Sequence, residues 1–457
     1  MLPTAVSEYL LSHREQSLGS LFELLRIPSI ANLDDGACPR AAEWLADYLH
    51  GLGVSARVCP TDGRPNVLGE LHVDDRAPTL LVYGHYDVQP PEPLELWESP
   101  PFEPEVRDGW IYARGADDDK GQLFTHLMAI EAWQRAGGGA PVNLKLFIEG
   151  EEETGSPTLE SFVADHAEEL AADAAVISDS SFHSADCPSI TYALRGLAGV
   201  ELTVGGPDRD IHSGLFGGAV ANPVNGLAKM IAALHDERGR VTIPGFYDDV
   251  RELTDDERRA WAKLDYDAAA VMTDLGVGDL GGGERDLPPL ERLWARPTLD
   301  CNGIAGGYTG PGSKTIIPAA ASTKISMRLV ADQRPEKVLD GLRQFIAEHT
   351  PPGLTCEIKT MAGARPVLLA PDSAAMRAAR AAVSEAFGRE TTLVRCGASV
   401  PVTELMQRLL GLDAVLMGFG LSEDRLHSPN ERFALDQFYR GAEAAAIFMQ
   451  KLAEKSA

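Results

Sequence analysis

Short apolar runs alternate with longer segments of helical period in the first part of the chain, and the runs end on polar, glycine-marked turns. Thr79 to Tyr83 leads into Gly84-His85-Tyr86-Asp87, Asn143 to Ile148 into Glu149-Gly150-Glu151-Glu152-Glu153, and Ala174 to Ile177 into Ser178-Asp179. Much later, Ala414 to Met417 enters a loop that carries His427. Such runs, bounded by turn residues, read as buried strands. Between them, Gln122 to Trp133 has the apolar period of a helix, closed by Gly137-Gly138-Gly139 before Ala140 and Pro141. Met1 to Ile27 mixes Leu with Glu, Arg and His at helical spacing and lacks the basic start, apolar centre and cleavage site of a signal peptide, so a cytoplasmic location is the default expectation.

From Leu197 to about Lys359 the rhythm changes. The strongest strand signals there are Gly199 to Val204 and Thr323 to Val330, with helical patterns at Pro223 to His235 and Pro335 to Glu348. Alternation then resumes, with helical patterns from Ser373 to Phe387 and from Leu435 to Leu452 around the Ala414 strand. At 457 residues the chain exceeds what one hydrophobic core accommodates. The predicted fold is therefore α/β in two domains. Residues 1–196 and 360–457 form a discontinuous domain, a mainly parallel sheet flanked by helices, and residues 197–359 are an inserted α/β sandwich. Gly281-Gly282-Gly283 reads as a loop, since no strand-to-helix context or Lys-Ser/Thr follows to make a phosphate site.

Composition narrows the partners. The formal net charge is -27, which disfavours phosphate backbones and anionic lipid surfaces, so neither nucleic acid nor membrane is expected as a partner. Six dispersed cysteines without paired spacing read as reduced thiols, not as a disulfide framework or a thiolate zinc site.

The candidate chemistry follows from where the polar residues fall. Open α/β sheets place their sites beyond the carboxyl ends of the strands, so His85, the Glu149 to Glu153 run, Asp179 and His427 are brought toward one edge. Asp118, in Arg114 to Gly121, adds a carboxylate just before a helix. Taken singly, a His-x-Asp reads as a hydrogen-bonded structural pair and an aspartate run as a solvated face. Together they form a thiolate-free set of imidazoles and carboxylates suited to Zn, Mn or Co. Asp87, two residues past His85, is placed to orient it by accepting the other ring N–H. Adjacent Glu152 and Glu153 point different ways, so one can bind metal while the other moves protons. Glu149 and Glu151 are read as a solvated acidic turn. His13, His50, His72, His126, His166, His183, His235 and His349 fit no ligand motif and are read as surface or packing residues.

These stretches resemble the M20 metallopeptidases, and within them the cytosolic dipeptidase and carnosine-dipeptidase branch. The resemblance rests on Gly84 to Pro90, Trp97 to Pro104, Arg107-Asp108-Gly109, Arg114 to Gln122, Glu149 to Ser156, Ile211 to Gly214 and His427 to Glu431, in family order over nearly the whole chain. It implies two divalent metal ions per subunit, Zn or Mn with Co as a further option. Asp118 would bridge them, with His85 and Asp179 on one and Glu153 and His427 on the other. Glu152 matches the general base and Asp87 the residue that steers the first histidine.

On spacing alone His212 reads as structural. The resemblance makes the inserted domain a lid and dimerisation domain, the protein a homodimer, and His212 a substrate contact across subunits. Arg328 matches an arginine that pairs with the substrate carboxylate. Gly307 to Thr315 and Gly397-Ala398-Ser399 match loops near the substrate. Two departures stand out: Ala113 replaces a frequent Gly, and Cys396 with Ala398 replace Glu and Gly, which touches substrate preference and no metal ligand. The implied activity is hydrolysis of dipeptides. Its rivals are an N-acyl-amino-acid deacylase of the aminoacylase or desuccinylase kind and a catalytically silent metal-binding protein.

Overall fold

The computed structural model describes residues 1–361, 363–397, 400–412 and 414–454; Ala398 and Ser399, from the loop matched to a substrate loop, lie outside the described residues. The chain divides into two compact units, one of Met1–Tyr192, Leu369–Val394 and Val400–Ala457, the other of Ala193–Leu368 with Arg395–Ser399.

The first unit is built on a sheet whose strands run in the order Ser55–Cys59, Asn66–Leu71, Asn143–Glu149, Thr79–His85, Ala174–Ile177, Ala414–Leu416 and Ser189–Leu194. The middle four are parallel and the outer ones antiparallel. Their near-continuous apolar sequence has a physical cause: covered on both faces by helices, a parallel sheet has no solvent side to alternate with. Register places His85 opposite Glu149, and Tyr83 opposite both Phe147 and Ile177, so the strand ends line up.

Helix Lys120–Ala136 packs against strand Thr79–His85 on one side and helix Leu435–Glu454 on the other. Every residue from Lys120 to Ile130 is buried, which explains why its sequence shows so little amphipathic contrast. Helix Ala374–Phe387 starts where its periodicity predicts, because Ser373 Oγ accepts the Met376 N–H at 3.1 Å and so satisfies one of the donors that a helix start leaves unpaired.

The second unit carries an antiparallel sheet in the order Thr298–Gly306, Ala320–Leu329, Gly196–Gly205, Thr355–Thr360. Alternate residues Val200, Leu202, Val204, Ile325, Met327 and Leu329 face helices Pro223–Ala233 and Pro335–His349, which contribute Leu227, Met230, Leu342 and Phe345 to one core. Three short helices that the sequence pattern does not reveal, Asp255–Trp261, Ala268–Leu275 and Pro289–Trp294, lie between the paired elements. Among the described residues no helix is long and apolar enough to cross a membrane.

Candidate metal centre

Four parallel strands deliver the polar groups, and the helix behind them fixes their ends. His85 is the last residue of Thr79–His85, and its main-chain N–H donates to Asp119 Oδ2 at 3.1 Å. This close approach of strand to helix is why residue 84 is glycine: a Cβ there would stand 2.8 Å from Asp119 Oδ2 and 2.9 Å from Leu123 Cδ1. Asp179 follows strand Ala174–Ile177 by two residues. Glu152 and Glu153 open a short turn of 3-10 helix after Asn143–Glu149, and His427 comes from the loop after Ala414–Leu416.

Asp118 stands at the centre. One of its carboxylate oxygens lies 3.1 Å from His85 Nε2 and the other 3.0 Å from His427 Nε2. His85, Asp118 and Asp179 offer three ligand atoms within 4.8 Å of one another, and so do Asp118, Glu153 and His427. Two triads sharing one carboxylate, made only of imidazole and carboxylate donors, fit a pair of divalent cations. His427 Nε2 is also 3.2 Å from Glu153 Oε2, to which Gln89 Nε2 donates at 2.8 Å.

Charge balance in the metal-free chain reflects this crowding. Burial works against ionising Asp118, but the hydrogen bonds from His427 and His85 prevail and hold its carboxyl below the usual range. Burial likewise opposes charge on His85, and the bonds to Asp118 and Asp87 outweigh it, so its pKa is raised. The bonds to Asp118 and then Glu153 lift His427 to about 10. Burial lifts Glu152 to about 8 and Asp179 to about 7.

The neighbours hold the frame. Asp87 accepts the main-chain N–H of Glu152 at 3.2 Å on Oδ1 and that of Glu153 at 3.0 Å on Oδ2. Its main-chain carbonyl is 3.1 Å from His85 Nδ1 and its Oδ1 3.5 Å, so the ring is oriented chiefly by the backbone while the carboxylate caps the glutamate turn. Glu431 is fully buried and pairs with Arg114 Nη1 at 2.6 Å. Its two oxygens also accept the N–H groups of Gly115, Asp117 and Asp118. His427 has a left-handed backbone, φ 58°, a conformation that costs a side-chain-bearing residue about 1–3 kcal/mol and persists only in a pinned loop. Asn430 does the pinning, accepting Glu98 N at 2.8 Å and donating to Leu96 O at 2.8 Å.

Two sequence expectations are corrected here. Glu149 and Glu151 are not a solvated turn: they are 2% and 6% exposed. Glu149 accepts the Tyr83 hydroxyl at 2.6 Å, and burial pushes its carboxyl up to about 7; Glu151 accepts Thr158 Oγ1 at 2.6 Å. Glu149 ends up inside as the last residue of strand Asn143–Glu149, and Glu151 because its turn closes onto Thr158. His212 and Arg328 lie in the second unit. His212 is exposed, with Nδ1 accepting Gly214 N at 2.9 Å, and Arg328 is half-buried on strand Ala320–Leu329 opposite Thr298. Sequence pattern assigns no role to Glu431, Gln89 or Asp119, although all three fall inside or beside its motifs.

A parallel α/β sheet with a two-triad centre at its strand ends defines a class, and the chain belongs to it: the model of peptidase family M20/M25/M40 matches residues 81–451. Among curated proteins, the chain is 34% identical over 402 residues to the Cys-Gly metallodipeptidase dug1 of Schizosaccharomyces pombe, covering 86% of this chain and 83% of that one. It is 31% identical over 429 residues to human Beta-Ala-His dipeptidase, covering 90% and 84%. Among solved structures, the M20 family metallo-carboxypeptidase Sso-CP2 from Sulfolobus solfataricus superposes with a TM-score of 0.84 at 35% identity, covering 96% of this chain and 99% of that one.

Proposed function

We propose that this chain is a homodimeric di-metal dipeptidase. The observation that carries the reading is the pair of triads meeting at Asp118 beside Glu152. His85, Asp118 and Asp179 would hold one divalent ion, Zn or Mn, and Asp118, Glu153 and His427 the other. When bound, the ions supply Lewis acidity to the scissile carbonyl and make water easier to deprotonate. Glu152 takes the proton of the attacking water and later hands one to the leaving amine. Asp87 is a positioning residue: by holding the N–H groups of residues 152 and 153 on its two oxygens, it sets the base and its neighbouring ligand on one rigid turn. Arg328 offers the forked guanidinium that suits a substrate carboxylate.

The dimer reading has its own support. With Nδ1 of His212 accepting from Gly214, the ring proton sits on Nε2, where it can be donated to a carbonyl oxygen. Beside it Leu215 is 76% exposed, and the outer strand Thr298–Gly306 carries Ile304 at 66%. An open sheet edge with exposed apolar side chains is a pairing surface for another chain.

The test is a panel of dipeptides, β-alanyl dipeptides, longer peptides and N-acetyl or N-succinyl amino acids given to protein loaded with Mn or Zn, scored by released amine. Dipeptide cleavage abolished by a chelator is expected. Cleavage of acyl amino acids alone would make the protein a deacylase, trimming of longer peptides alone a carboxypeptidase, and silence at full metal occupancy a non-catalytic binder.

A further inference from the structure

The second unit encloses a cavity of about 340 Å³, within reach of the range typical of small-molecule sites. Part of its wall is the Gly281-Gly282-Gly283 loop, to which the hydrolytic reading gives no role. Gly282 and Gly283 line the cavity together with Gly239. A Cβ on Gly239 would stand 2.1 Å from the Gly283 carbonyl oxygen, and both residues have positive φ, so this wall closes only backbone against backbone. Arg292 ties the loop down, donating from Nη1 to the carbonyls of Leu280 at 2.7 Å and Gly282 at 2.6 Å. Its Nε is buried and has no hydrogen-bond partner.

The charges of the lining are amphoteric. Arg292 and Arg195 bring guanidiniums, and exposed Asp300 is the one carboxylate among the described lining residues. Arg195 donates from Nε to Gly397 O at 3.1 Å; burial first and the charge of Arg328 next push its pKa down, against the pull of Cys396 and Asp300. His235 completes the polar side. Opposite in character, Val241, Leu280, Leu293 and Leu299 supply an aliphatic surface, of which Leu293 is partly open to solvent.

We propose that this cavity binds a free α-amino acid with an aliphatic side chain. Its carboxylate meets Arg292 and Arg195, its ammonium meets Asp300, and its side chain covers the leucines. A zwitterion matches both signs that the lining carries. The binding stands independently of the hydrolytic reading, although free amino acids are also the product class of that reaction.

The experiment is a calorimetric titration of the metal-loaded protein with L-leucine, in the presence of a saturating dipeptide analogue whose peptide bond is reduced to an amine. The expected result is one saturable leucine site per chain that persists with the analogue present, with 4-methylpentanoate, which lacks the ammonium, binding about tenfold more weakly. Asp300→Asn should bring leucine down to the level of 4-methylpentanoate. Gly282 lines the cavity with ordinary φ and open space around its Cβ position, so Gly282→Leu adds bulk to the wall without strain and should weaken binding at an unchanged melting temperature. Leucine heats that vanish with the analogue, or that survive unaltered in both Gly282→Leu and Arg292→Gln, overturn the proposal. Should the chain hydrolyse nothing, the same titrations still read the cavity.

Discussion

Glu431 and Arg114 meet at 2.6 Å in the interior of the first unit, both essentially without solvent exposure, across 317 positions of sequence. Glu431 does more than neutralise the arginine, because its oxygens also collect three main-chain N–H groups of the loop that presents Asp118. Removing one partner of a buried pair leaves an uncompensated charge, at a cost of about 3–5 kcal/mol. Arg114→Met should therefore lower the unfolding midpoint strongly. Glu431→Gln leaves the Arg114 guanidinium equally uncompensated and turns an amide NH2 toward main-chain N–H donors, so it too should lower the midpoint, and it should also weaken metal binding, since the loop is held by fewer charge-assisted bonds. Melting curves and metal titrations on the two variants check this; metal affinity left intact in Glu431→Gln would detach Glu431 from the centre.

Glu152→Gln isolates proton transfer from metal binding. The amide fills the same space and can keep the backbone bond to Asp87, so both ions should remain bound by elemental analysis. Turnover should fall by about 10³-fold, the range expected for a general base. Substantial residual hydrolysis at full metal content would reassign the base.

Sharing of a site between subunits gives a complementation test. If His212 of one subunit serves the centre of the other, His212→Ala and Glu152→Gln homodimers are each poor enzymes, while mixed dimers contain one centre with both intact residues. Unfolding and refolding the two variants together should recover up to about a quarter of wild-type activity by random pairing, where each hybrid rebuilds one of its two centres. Proven subunit exchange with no recovery would confine each centre to one chain.

Local pattern carries the fold a long way, because strands Thr79–His85, Asn143–Glu149 and Ala174–Ile177 are continuous apolar runs and helix Pro335–His349 has a clean period with proline at its start. What pattern cannot show is a partner far along the chain. Glu149 and Glu151 look like solvent residues by type and are buried by Tyr83, 66 positions away, and by the fold of their own turn onto Thr158. Glu431 sits inside the His427 to Glu431 motif without a legible role because Arg114 is 317 positions distant. The helices between Asp255 and Trp294 run only six to eight residues, too short for periodicity to register. A signal is present nonetheless: Thr254 and Glu257 form a reciprocal capping box that begins the first of them.

A last prediction concerns a histidine outside the centre. His126 is fully buried on helix Lys120–Ala136, with Nε2 2.6 Å from Ser178 Oγ. Ser178 commits its own proton to the Met417 carbonyl at 2.6 Å, so the imidazole must donate from Nε2, while Nδ1 has no partner. Burial alone pushes its pKa down to about 4. In the unfolded chain the same group titrates near 6.5, so between these values the unfolded state binds a proton that the folded state refuses. Stability supplied by the neutral imidazole is fully present above that window and declines as pH falls through it, by about 3 kcal/mol over its whole width. His126→Gln retains a donor for Ser178 and does not titrate. Urea unfolding of both proteins from about pH 7.5 to about pH 4.5 should show a stability difference that is flat at the upper end and moves against the wild type toward the lower end. A difference that stays constant across the range would mean that the folded protein accommodates the imidazolium, and that the pocket behind Ser178 is wetter than its burial implies.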